Sequence, residues 1–150
     1  MTASRFLAGL TLVALLAAPL AAQSFGAGAR AIHDGDARTG ALTGSDPTLD
    51  DGSHYDLYRY DGRPGETVVF TLRSDDFDAY LSGGPIADSF ELTDSDDDGA
   101  GGTDAQITVT LSGTGSFALL ANSLGGGATG RYTLTAESLG VSDPALDLCA

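Results

Sequence analysis

Lysine and tryptophan are missing from this chain, cysteine occurs once, and histidine twice. The single Cys149, next to last, excludes an internal disulfide, so the fold has to be held by packing and hydrogen bonds alone. With only His33 and His54 available, few side chains can act as a base near neutral pH, and no His/Cys spacing suits zinc. Ser53, His54 and Asp56 are close in sequence. Adjacent residues of a strand point to opposite faces, however, so they cannot form a proton relay. Positive charge is also scarce: seven arginines face 21 acids, for a net charge of −14. That balance excludes nucleic acid and anionic membranes as partners and favours divalent cations or basic surfaces. Pairs resembling a glycosidase dyad are inevitable among so many acids, so they select nothing. No enzyme is predicted.

The acids present are almost all aspartate, 18 against three glutamates (Glu66, Glu91 and Glu137), and glycine numbers 21. Aspartate and glycine suit turns and hard-cation loops, whereas glutamate suits helix surfaces. Helices are therefore not expected to dominate.

Residues 1–22 have the layout of a secretory signal peptide. Arg5 precedes an apolar run over residues 6–16, and small residues lead to a cleavage site after Ala22. The run is too short for a membrane span. The protein is expected to be secreted or periplasmic. The chain beyond Ala22 suffices for one domain.

Residues 23–40 are rich in Gly and Ala without a clear period and read as a flexible lead-in. From there, short apolar runs alternate with turn signals, predicting an all-β, two-sheet antiparallel β-sandwich, jelly-roll-like, of seven or eight short strands over residues 41–139. "HYDLYRY" puts Asp56, Tyr58 and Tyr60 on one face, where the two tyrosines form either an exposed platform for stacking or a strip of core. "TVVFTLRS" is the strongest strand. "AQITVTLSG" alternates Ile107, Val109 and Leu111, and "GRYTLTAES" alternates Tyr132, Leu134 and Ala136. "GGP" (residues 83–85) reads as a break between strands, and residues 140–150 as a loose tail.

The succession "GALTGSDPTLDDGSHYDLYRY", "GRPGETVVFTLRSDDFDAYL", "DSDDDGAGGTDAQITVTL", "GTGSFALLANS" and "GRYTLTAES" resembles the bacterial pre-peptidase C-terminal domain family. The order of motifs carries the likeness, and the departure lies between Leu81 and Asp94. The resemblance implies a non-catalytic accessory β-sandwich that binds an extracellular protein or polysaccharide and is in some members stabilised by calcium. A structural role in the envelope or matrix, with no metal, is the alternative.

The densest acidic run is "TDSDDDGAGGTD". Asp94, Asp96, Asp98 and Gly99 match the front half of a calcium loop, in which alternating carboxylates converge on a hard cation. The back half fails, because Ala105 stands where an EF-hand needs a bidentate glutamate and the flanks read as strands. Two readings stay open: a calcium site and a solvated turn. For a calcium site the candidate ligands are Asp94, Asp96, Asp98 and Asp104, joined by Asp76 and Asp78 of "SDDFDAY", which the family resemblance places nearby.

Overall fold

Alternation of apolar and polar side chains becomes two facing sheets in the computed structural model, which describes residues 28–88 and 90–142. The expected signal peptide and Cys149 lie outside the described residues. Among the described residues nine strands form, in the order β1 (Arg30–Ala31), β2 (Ala37–Leu42), β3 (Tyr55–Asp61), β4 (Glu66–Arg73), β5 (Ala79–Pro85), β6 (Asp94–Asp96), β7 (Ala105–Thr110), β8 (Ser116–Ser123) and β9 (Gly130–Val141). One sheet runs β1-β3-β8-β5-β6 and the other β2-β9-β4-β7. Every pairing is antiparallel except β1 with β3. The all-β sandwich is as expected, and the strand count exceeds seven or eight because β1 and β6 are only two and three residues long.

The core is made by the expected alternations. Val68, Phe70 and Leu72 of β4 face Tyr58 and Tyr60 of β3 and Phe117 and Leu119 of β8, all of them buried. Phe70 stacks on Phe117 across the sandwich at 5.9 Å and meets Tyr60 edge-on at 5.3 Å. Such aromatic contacts add about 0.5–1.5 kcal/mol each beyond area burial.

Three segments differ from expectation. The first is the lead-in up to residue 40, which supplies β1 and most of β2, while Ile32 beside β1 is fully buried. The apolar period is broken because the core-facing position is Gly40. A Cβ there would lie 2.3 Å from the Tyr132 ring, so the position accepts only glycine. Second, Gly83, Gly84 and Pro85 continue β5 instead of ending it. A Cβ on Gly83 would meet Phe117 at 2.4 Å, and one on Gly84 would meet the Glu91 carbonyl at 1.9 Å. Glycine inside this strand marks close approach from both faces. The segment after it, expected as a strand, instead crosses back over the sheet with a single bridge between Ile86 and Phe90. Third, β9 passes residue 139 and ends at Val141, with a bulge opposite Thr67/Val68.

Candidate functional site

Of the six aspartates expected to converge, Asp96 and Asp98 come together, Asp76 and Asp104 line one cleft, and Asp78 and Asp94 lie apart from both groups. Asp76 accepts the Arg131 backbone N–H at 2.7 Å and so caps the start of β9. Asp104 accepts the Ser74 N–H at 3.2 Å and lies 3.5 Å from the Arg73 guanidinium. Asp76 and Asp104 thus meet each other only in a cleft of about 670 Å³ that also contains Arg73 and Arg131. Asp78 is exposed, and its backbone carbonyl accepts the Leu124 N–H at 2.8 Å. Asp94 opens β6 and accepts the Thr93 hydroxyl at 2.6 Å. Asp96 accepts two backbone N–H groups, Gly99 at 2.6 Å and Gln106 at 2.8 Å, which closes the turn before β7.

Among the described residues, one acidic trio has ligand atoms within 4.8 Å of one another: Asp96, Asp97 and Asp98. Asp97 was not among the expected ligands. The other four lie outside the trio. Asp76 and Asp104 are drawn to donors distant in sequence, Arg131 and Ser74, and Asp94 to the neighbouring Thr93, none of which a linear reading of acidic spacing registers.

Two buried carboxylates were not singled out by the sequence. Asp56 points inward beside Tyr58 and is only 8% exposed. It accepts a short hydrogen bond from the Tyr132 hydroxyl, which in turn lies 2.8 Å from the Tyr58 hydroxyl. Arg30 completes the network, 3.4 Å from Asp56 and 3.4 Å from the Tyr58 oxygen, with its guanidinium 5.9 Å over the Tyr58 ring. Burial, reinforced by the bond to Asp56, pushes the Tyr132 hydroxyl far above the usual phenol range. The sequence signal was available: Asp56 shares the alternating face of Tyr58 and Tyr60.

Glu66 accepts the Ser138 hydroxyl at 2.6 Å, the Arg63 N–H at 2.8 Å and the Tyr60 hydroxyl at 2.9 Å. The Ser138 bond does most to hold this carboxyl below its ordinary range, helped by Arg63 and Tyr60 and opposed by burial. Held ionised and fully hydrogen-bonded, Glu66 braces β3, β4 and β9. His33 lines the same cleft, of about 910 Å³. His54 lies 3.1 Å from the Asp46 carbonyl, while Ser53 is buried and bonded to Asp51 at 2.6 Å. Ser53, His54 and Asp56 therefore have separate partners, as their alternation on a strand requires.

These features together define a two-sheet, mainly antiparallel β-sandwich. The chain is similar in fold to the pre-peptidase C-terminal domain of a collagenase from Bacillus anthracis, with a TM-score of 0.57. The likeness covers 73% of this chain and 94% of that one at 16% sequence identity, so it is a likeness of fold. No protein-family model and no curated protein matches the sequence. No helix among the described residues is long and apolar enough to cross a membrane.

Proposed function

We propose that the protein is an exported, non-catalytic accessory module that binds an extracellular protein or polysaccharide. The supporting observation is that a domain belonging to a collagenase has the same fold over 94% of its length. Rigid sheets that present loops and clefts on their outer faces suit recognition, and the buried carboxylates Asp56 and Glu66 are engaged in bracing. The test is retention of the purified chain on immobilised extracellular matrix proteins and on insoluble polysaccharides. Saturable retention on one of them is expected, and no retention on any would overturn the proposal.

A calcium ion bound by Asp96, Asp97 and Asp98 is a second element of this proposal, favoured by the clustering of their carboxylates within 4.8 Å. Three carboxylates and neighbouring loop carbonyls approach the six to eight oxygens calcium takes. Asp76, Asp78, Asp94 and Asp104 are not needed for it. A ligand of the native state raises the melting temperature. Melting with calcium should therefore exceed melting with chelator, and Asp98→Asn should reduce the difference. Superimposable curves in calcium, magnesium and chelator would leave the run as a solvated turn.

A further inference from the structure

The outer face of the five-stranded sheet holds two buried polar atoms with no hydrogen-bond partner among the described residues, Ser82 Oγ and Asn122 Oδ1. Both residues are only 2% exposed. Buried polar groups are nearly always satisfied, so two orphans in one place call for an explanation. They line the same cleft, of about 330 Å³. We infer that this cleft is a binding site for a neutral saccharide, which deepens the proposed module and rests on it.

The placement is set by the register. Tyr55 of β3 and Tyr80 of β5 are both paired with Asn122 of β8, so the three share one row and one face. Ser82 lies in the next row, between Leu120 and Ser95. Asn122 Nδ2 is directed at Ser53 Oγ, 3.4 Å away, and the Ser123 carbonyl, 3.3 Å away, which leaves Oδ1 as the unpaired acceptor. Leu49 and Asp51 reach the cleft from the loop before β3, and Leu92 and Thr93 reach it from the segment between β5 and β6. Leu92 remains 49% exposed.

The lining selects the ligand's chemistry. Asn122 Oδ1 needs a donor, Asp51 and Asp94 can accept further ones beside their bonds to Ser53 and Thr93, and the Ser82 hydroxyl can donate or accept. Sugar hydroxyls do both, and the C–H faces of a pyranose match Tyr80, Leu49 and Leu92. The cleft volume is at the lower end of small-molecule sites, about 300–1,000 Å³, and far exceeds an ion. Asp51 and Asp94 line it and no Arg, Lys or His does, which disfavours uronate and sulfated glycans. An ordered water between the two orphan atoms is the competing occupant.

The test is titration of the full chain with cellohexaose, maltohexaose, mannohexaose and chitohexaose, with oligogalacturonate and polylysine as charged controls. Tyrosine fluorescence is a clean readout because the chain has no Trp. Saturable binding of at least one neutral hexaose is expected, weakened about fivefold or more by Ser82→Ala and by Tyr80→Ala. Ser82→Ala removes an unpaired hydroxyl, so its melting temperature should hold or rise while binding falls, which separates recognition from folding. No neutral hexaose bound, preference for a charged control, or undiminished binding by Ser82→Ala would overturn the inference in favour of water or another ligand. If both variants still hold a matrix protein or polysaccharide, the cleft fails and the module stands. If the parent chain is retained on nothing, the module fails as well.

Discussion

Replacing Tyr132 by phenylalanine removes one oxygen from the centre of the sandwich and leaves the ring's packing intact. In the parent structure that oxygen donates to Asp56 and lies 2.8 Å from the Tyr58 hydroxyl, linking β9 of one sheet to β3 of the other. Asp56 and Tyr58 are 8% and 1% exposed, so water cannot readily replace the lost partner. A hydrogen bond to a charged group contributes about 1.5–3 kcal/mol, and Asp56 would keep only Arg30, 3.4 Å away. The expected cost is about 2–3 kcal/mol. For a domain of this size the melting temperature falls about 4 °C per kcal/mol, so a drop of about 8–12 °C is predicted. Calorimetry and urea unfolding of Tyr132→Phe, Asp56→Ala and the double variant should give a coupling energy above about 1 kcal/mol. Arg30→Ala should cost no more than about 1 kcal/mol, since that side chain is 55% exposed. A Tyr132→Phe cost below about 0.5 kcal/mol, or strict additivity with Asp56→Ala, would refute the bracing role.

Two further outcomes test other parts of the fold. Gly84→Ala should destabilise by more than about 3 kcal/mol or prevent folding, because its Cβ would lie 1.9 Å from the Glu91 backbone oxygen; expression and circular dichroism would report it. Glu66 is held below its unfolded value of about 4.3, so it contributes stability above that pH and loses it as pH falls through the lower folded value. Glu66→Gln should therefore be less stable at neutral pH and show a shallower decline in melting temperature below about pH 4. The parent's own decline persists in part in the variant because Asp36, Asp51 and Asp61 are also held low by their hydrogen bonds.

The sequence by itself determined the fold class. Strands such as Glu66–Arg73 and Ala105–Thr110 carry a two-residue apolar period, and aspartate and glycine mark the turns between them. These are local signals, set by side-chain alternation within a few residues. Their limits appear where glycine stands because another part of the chain approaches closely. Gly40 hides β2, and Gly83 and Gly84 imitate a turn inside β5, because their identity answers to Tyr132 and Phe117 from distant strands and to Glu91 on the segment that folds back over β5. The candidate sites divide in the same way. The acidic run was visible as composition, but the partners of each carboxylate were not, since Asp76 bonds Arg131 and Asp104 bonds Ser74. Tertiary structure alone decided that Asp76 and Asp104 line one cleft away from the Asp96–Asp98 trio and that Asp56 meets Tyr132 of the opposite sheet. It alone also placed Ser82 and Asn122 unpaired in one cleft, because strand register sets which distant residues share a face.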